Sequence, residues 1–130
     1  MRVRKLGALA GTAVVASTVL VAGPTPAHAA SCGVSGGKLW CNNKAPVYIR
    51  DKPSLANPSS ERVDTLRTTY SWFSCWSTGE LHGGGNYTWY KTQGDDYGAW
   101  GWLAAEYMYT SWDFDANPSA YGLPRCQYPW

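Results

Sequence analysis

Y-T-W-Y-K-T-Q-G-D-D-Y-G-A-W-G-W-L-A-A-E-Y, residues 87–107, is the segment from which the fold of this chain is best inferred. Two runs rich in aromatic residues, 87–92 and 100–103, flank a segment that contains the Gly and Asp residues typical of turns. The pattern predicts a β-hairpin with a loop of several residues. Because side chains alternate along a strand, Trp89 and Tyr90 are expected on opposite faces of it.

Three segments that precede the hairpin are also rich in residues that favour strands. Residues 45–50 (A-P-V-Y-I-R) and 68–76 (T-T-Y-S-W-F-S-C-W) are predicted strands, and 61–66 is a predicted strand with a short helix as the alternative. Glycines make residues 77–86 a predicted loop, and the proline-containing tail after Tyr107 shows little periodicity. The sequence therefore predicts an all-β protein.

The first 29 residues have the pattern of a secretory signal peptide. Three basic residues within the first five positions precede a small, apolar and uncharged run, and A-H-A at 27–29 forms a cleavage site. A membrane anchor is the less favoured alternative, because the run is short for a span of about 20 residues and contains glycines. The mature protein is therefore expected to be secreted or associated with the cell wall, and not to be embedded in a membrane.

Removal of the signal peptide changes the charge of the chain. The full chain has 11 basic and 9 acidic residues, a net charge of +2. Three of the basic residues lie in the signal peptide, so the mature chain keeps eight basic residues against nine acidic ones, a net charge of −1. No basic cluster is present in the mature sequence, which argues against nucleic acid as a partner.

The chain has four cysteines, and all of them follow the signal peptide. An even number in a small exported domain predicts two disulfides, for which three pairings are possible. Cys32–Cys41 is the favoured local pair because the glycines between the two residues allow the chain to turn back. Cys75–Cys126 would then attach the C-terminal tail to the body of the domain. A zinc site is disfavoured, since the sequence lacks C-x-x-C and has one histidine, His82, after the signal peptide.

Aromatic residues outnumber aliphatic ones in the mature part of the chain. It holds all 8 Trp, 9 Tyr and 2 Phe residues, whereas Leu, Ile and Val are few. Rings must therefore build much of the core, since each one buries roughly 150–250 Å². Trp89 and Trp102 are expected in the core. For Trp72, Trp76 and Trp100, core packing and surface exposure are equally open, and alternation puts Trp72 and Trp76 on the same strand face.

Two motifs that are typical of serine hydrolases occur in the sequence, but their context is wrong. Residues 33–37 fit G-x-S-x-G, and 82–85 fit H-G-G-G. The serine lies in a glycine turn between cysteines rather than between a strand and a helix, and the order of the motifs is reversed. Asp95 and Asp96 are assigned to turn formation, and His82 is expected to be a solvated loop residue. The sequence therefore predicts no catalytic residue, no metal ligand and no cofactor.

The order of these signals resembles that of the bacterial SH3 (SH3b) domain. The resemblance depends on V-Y-I-R-D-K-P at 47–53, V-D-T-L at 63–66, W-Y-K at 89–91, G-A-W-G-W-L at 98–103 and E-Y at 106–107. The whole chain also resembles a group of small exported actinobacterial proteins of unestablished activity. The chain departs from the SH3b pattern in a longer loop that is rich in Trp and Gly, and in its two cysteine-bearing flanks.

The resemblance implies an architecture and a role. Residues 45–108 would form a small, strongly bent SH3-like barrel. Residues 30–44 would be a disulfide-bearing N-terminal extension, and residues 109–130 would be a tail tethered by the second disulfide. In SH3b domains the common role is attachment to peptidoglycan or to its peptide crosslinks.

The first functional hypothesis is a secreted, non-enzymatic binding module for cell-wall peptidoglycan or its peptides. Such a module needs an aromatic groove and hydrogen-bonding loops, for which residues 51–60 and 77–86 are available. The candidate ligand-binding residues are Tyr48, Asp51, Trp72, Trp76, Tyr90 and Trp100. The alternatives are a secreted protein that binds another protein, such as an inhibitor of an extracellular enzyme, and a small cell-wall hydrolase.

Overall fold

The computed structural model describes residues 32–55 and 60–127, and the fold within these ranges is all-β, as predicted. The predicted signal peptide and residues 56–59 of the predicted loop lie outside them. The eight strands are β1 (Cys32–Ser35), β2 (Lys38–Asn42), β3 (Val47–Arg50), β4 (Arg62–Leu66), β5 (Tyr70–Phe73), β6 (Cys75–Thr78), β7 (Thr88–Gln93) and β8 (Trp100–Ala104). The segment at 61–66 is thus a strand and not a helix.

Five strands form an antiparallel sheet in the order β4-β3-β8-β7-β6. The predicted hairpin is present as β7 and β8, with Tyr90 opposite Leu103 and Thr92 opposite Gly101. A Cβ atom at Gly101 would lie 2.8 Å from the Arg50 carbonyl oxygen on β3, so this position needs a glycine for the two strands to approach.

The other three strands form a second antiparallel sheet in the order β1-β2-β5. The chain passes from this sheet to the first one at Ser74, which separates β5 from β6 and whose N–H donates to the Lys91 carbonyl at 2.8 Å. The interruption corrects the alternation predicted for residues 68–76. Trp72 is half-buried on β5 and Trp76 is buried on β6, because the strand bends between them instead of continuing as one ladder.

The order of the five-stranded sheet is open. Its outer strands, β4 and β6, do not pair with each other within the residues that the structure describes. The all-β class is therefore observed, whereas closure of the sheet into a barrel is not.

The core consists of rings and a few aliphatic side chains. β7 contributes to it on both faces: Tyr90 packs with Phe73 and Leu103 in the larger cluster, and Trp89 packs with Trp102 in the smaller one. Trp89 and Trp102 are each 1% exposed, so their predicted place in the core is confirmed.

The favoured disulfide pairing is also observed. Cys32 is bonded to Cys41 across β1 and β2, and Cys75 on β6 is bonded to Cys126 in the tail. The tail is more ordered than its sequence suggested: it forms helix α1 (Trp112–Ala116) and a 3-10 helix (Pro118–Tyr121). None of the helices among the described residues has the length and hydrophobicity required to cross a bilayer.

Candidate functional site

Four aromatic side chains form a continuous surface on the outer face of the three-stranded sheet and at the start of β8. They are Trp40, Tyr70, Trp72 and Trp100, and we refer to them as the aromatic strip. Trp40 is 36%, Tyr70 48% and Trp100 50% exposed, and Trp72 is half-buried between its neighbours. Monomeric soluble proteins rarely expose contiguous apolar surface of this kind unless it binds something.

Strand alternation and register create the strip. Leu39 and Phe73 face each other on the inner side of the β2–β5 pair and are fully buried. The next positions, Trp40 and Trp72, also lie opposite each other and point to the outer side. Tyr70 occupies the diagonal position beside Trp40, within reach of its ring.

The rings contact one another in two pairs. Trp40 and Tyr70 are stacked, with ring centroids 6.2 Å apart and an interplanar angle of 24°. Trp72 and Trp100 meet edge to face at 5.6 Å. The Lys38 ammonium lies 4.4 Å from the centre of the Trp72 ring, which provides a cation–π contact and one positive charge at the strip. These contacts restrict the rings and lower the entropy that a ligand would have to remove on binding.

The loop that precedes Trp100 is held by the buried carboxylate of Asp64 on β4. This carboxylate accepts hydrogen bonds from the backbone N–H groups of Thr65, Asp96, Tyr97 and Ala99, at 2.7–3.1 Å. Burial opposes ionisation of Asp64, but the backbone hydrogen bonds outweigh it and lower the pKa of the carboxyl below its ordinary value of 3.8. An ionised Asp64 therefore fixes the backbone from which the Trp100 ring projects.

Asp95 and Asp96 act in the same loop, as their assignment to turn formation predicted. The Asp95 carboxylate accepts hydrogen bonds from the backbone N–H groups of Arg67 and Thr68. Asp96 forms a two-point ion pair with the Arg67 guanidinium, with distances of 2.6 and 2.9 Å. The hydrogen bond from Arg67 lowers the pKa of Asp96.

The structure distributes the predicted ligand-binding residues over three environments. Trp72 and Trp100 come together in the aromatic strip. Tyr48 is 54% exposed, lies under the Arg62 guanidinium at 4.0 Å, and borders a separate cleft of about 210 Å³. Asp51 is exposed, and its carboxylate accepts the Glu61 N–H at 2.8 Å.

Trp76 and Tyr90 are core residues in this structure, 7% and 0% exposed, so neither ring is available as a stacking surface. The bend at Ser74 turns Trp76 inward, and Tyr90 faces the larger core cluster because β7 is covered on both sides. These two burials correct the expectation of surface contacts.

His82 also differs from its prediction as a solvated residue. It is 4% exposed, its Nε2 lies 2.9 Å from the Thr88 carbonyl oxygen, and its Nδ1 accepts the Gly84 N–H at 3.1 Å. The ring packs edge-on against Trp89 at 5.8 Å. His82 therefore organises the glycine loop from within.

Trp40 and Tyr70 are the members of the strip that sequence reasoning did not select. Trp40 lay in a segment interpreted only as a disulfide-bearing extension. A signal was present, because Trp40 alternates with Leu39 and Cys41 as an outward residue alternates with inward ones. The pairing of β2 with β5, which joins Trp40 to Trp72, depends on contacts between residues about 30 positions apart in the sequence.

Comparison with protein-family models, with curated proteins and with solved structures finds no match in any of the three. Any function proposed for the chain therefore has to be argued from its own sequence and geometry.

Proposed function

We propose that the chain is an exported, non-enzymatic module of SH3b-like architecture that binds cell-wall peptidoglycan through the aromatic strip. Peptidoglycan presents long glycan chains whose sugar rings have apolar C–H faces. Flat indole and phenol rings are suited to stack on such faces, while their N–H and O–H groups remain free for hydrogen bonds. The protein surface supplies a row of such rings, so contact can extend over several units of a polymer.

The observation that carries the proposal is the continuity of the four rings. They are joined in pairs at 6.2 and 5.6 Å, and Trp40 and Trp72 lie opposite each other in the β2–β5 register. Three of them are more than one-third exposed. Such a surface is an aggregation liability unless it serves binding, because exposed apolar area favours non-specific association.

Two further features support the proposal. Both disulfides are compatible with an oxidising environment outside the cytoplasm, where such bonds persist. The low net charge of the mature chain favours recognition by stacking and hydrogen bonding over recognition by charge.

The proposal is tested by sedimentation with insoluble peptidoglycan. The wild-type protein is expected in the pellet, whereas Trp40→Ala and Trp100→Ala should each lower the affinity about tenfold, since each removes one stacking surface. Tyr121→Ala is the control, because Tyr121 is 52% exposed and lies in the 3-10 helix of the tail, outside the strip. Near-UV circular dichroism establishes that each variant is folded.

Wild-type protein that stays in the supernatant at low salt would overturn the proposal, and a protein partner would then be the leading candidate for the strip. Equal losses from Tyr121→Ala and Trp100→Ala would show that binding depends on rings in general and not on the strip.

A further inference from the structure

A second concave surface lies between the β6–β7 pair and helix α1, in a part of the molecule to which the proposed function assigns no role. It is an open cleft of about 460 Å³, and the lining residues relevant here are Trp76, Asn86, Tyr87, Trp112, Asp115 and Arg125. The cleft combines aromatic faces with a carboxylate, whereas the aromatic strip has rings and a single lysine.

The carboxylate of Asp115 is the main polar group of the cleft. Its side chain is buried, and Oδ1 accepts the hydroxyls of Tyr90 and Thr110, both at 2.6 Å. The other oxygen, Oδ2, has one hydrogen-bond contact among the described residues, the Asn86 amide at 3.5 Å. This distance is at the limit for a hydrogen bond. Oδ2 therefore keeps the capacity to accept hydrogen bonds from a ligand, while Oδ1 holds the carboxylate in place.

Two exposed rings flank this carboxylate. Trp112 is 64% and Tyr87 55% exposed. Trp112 lies against the glycine loop, since a Cβ atom at Gly85 would be 3.6 Å from the edge of its ring. Gly85 itself has a φ of +81°, a conformation that glycine adopts without strain.

The charges of the cleft constrain the ligand. The Arg125 guanidinium lies 4.6 Å from the centre of the Trp76 ring and donates to the Thr78 hydroxyl at 3.1 Å, so its position is defined. Asp115 and Arg125 carry opposite charges, so together they give neither a cationic nor an anionic ligand a net attraction to the cleft. Burial raises the pKa of the Asp115 carboxyl, because it disfavours the charged form.

We propose that this cleft binds a single neutral sugar ring, which stacks on Trp112 and donates hydroxyl hydrogen bonds to Asp115 Oδ2. A sugar combines an apolar C–H face with several hydroxyl donors, which matches an exposed indole beside an under-used carboxylate oxygen. This proposal is independent of wall binding through the strip, because a free sugar would bind here without any polymer.

The test uses three probes that share one ring and differ in charge: glucose, glucosamine and glucuronate. Saturation-transfer NMR and the intrinsic tryptophan fluorescence of the folded protein report binding. Glucose is expected to bind, while the cationic and anionic analogues bind several-fold more weakly. Trp112→Ala should weaken glucose binding about five- to tenfold, the value of one stacking contact. Tyr97→Ala, which removes an 84% exposed ring that belongs to neither the cleft nor the strip, should leave it unchanged.

Asp115→Asn should also weaken glucose binding, because an amide accepts hydrogen bonds less strongly than a carboxylate. Trp112 is exposed, so Trp112→Ala keeps the test valid if the Asp115 variant does not fold. Absence of saturation transfer from the protein to glucose overturns the proposal, as does glucose affinity that is unaffected by Trp112→Ala. Tighter binding of either charged analogue would overturn the assignment of a neutral ligand. Trp112→Ala should still sediment with peptidoglycan. A failure of the sugar-binding proposal for the cleft can therefore be distinguished from a failure of wall binding through the strip.

Discussion

The β2–β5 pair and the β7–β8 pair are both antiparallel and rich in tryptophan and tyrosine, but they use these rings differently. On β2–β5 one face is buried and the other faces solvent, so Trp40 and Trp72 lie outside while Leu39 and Phe73 lie inside. On β7 both faces are buried, and Trp89 and Tyr90 enter two separate core clusters. A ring on an interior strand of a sheet that is covered on both faces becomes core, whereas a ring on an uncovered face becomes surface.

The contrast is sharpest within β8. Trp100 and Trp102 are two positions apart and therefore share one face of the strand. Trp102 packs with Trp89 and has the Lys91 ammonium 5.3 Å from its ring, whereas Trp100 touches Trp72 and remains 50% exposed. The difference between the two rings comes from what lies over them and not from their residue type or alternation.

The largest expected effect separates these two tryptophans. Trp102→Ala should lower the free energy of unfolding by about 3–5 kcal/mol, because it removes a buried ring and leaves a cavity. Trp100→Ala should lower it by about 1 kcal/mol or less, the value of one edge-to-face contact at a partly exposed site. Denaturant unfolding followed by circular dichroism measures both. Equal losses would contradict the division between core and strip.

The two disulfides provide a second comparison. Cys32–Cys41 lies within the three-stranded sheet, whereas Cys75–Cys126 joins the five-stranded sheet to the tail. Replacement of Cys75 and Cys126 by Ala opens a loop of 51 residues and should cost about 4 kcal/mol. The same replacement of Cys32 and Cys41 opens a loop of 9 residues and should cost about 3 kcal/mol, since a shorter loop restricts the unfolded chain less. Thermal unfolding of the two double variants shows which replacement lowers stability more. A larger loss of stability for the Cys32–Cys41 variant would contradict the expected dependence on loop length.

Acid should lower the stability of the folded protein through Asp64, whose carboxylate holds the loop between β7 and β8. The pKa of Asp64 is lower in the folded protein than its ordinary value of 3.8, so its ionised form contributes stability above that pH. This contribution is lost as the pH falls through the lowered pKa. We expect Asp64→Asn to be less stable than wild type at neutral pH, with a smaller further loss below about pH 4. Parallel unfolding curves at all pH values would contradict the role of the ionised carboxylate.

The smallest expected effect is that of salt on wall binding. Among the described residues the strip has one cation–π contact, from Lys38, and the chain without its predicted signal peptide would have a net charge of −1. Raising the salt concentration from about 0.05 to about 0.5 M should therefore change the affinity for peptidoglycan by about twofold or less, because screening acts on charge and not on stacking. Sedimentation across this range measures it. A loss of tenfold or more would indicate an electrostatic contact elsewhere on the surface.

The sequence by itself determined the local features of this protein. The hairpin of β7 and β8 followed from two aromatic runs around a turn, and the Cys32–Cys41 bond followed from a short glycine turn between the residues. Trp89 and Trp102 were placed in the core because the chain has few aliphatic residues. These conclusions depend on neighbours in the sequence and on composition, so a single sequence is sufficient for them.

Only the tertiary structure decided which rings face solvent. The break at Ser74 changed the direction of Trp76 relative to Trp72, and pairing of β2 with β5 brought Trp40 into the aromatic strip. The tertiary structure also determined the conformation of the tail, in which the Asp115 carboxylate accepts hydrogen bonds from the hydroxyls of Tyr90 and Thr110. Alternation along a strand distinguishes its two faces, but which face is covered depends on sheets and helices that arrive from distant parts of the chain.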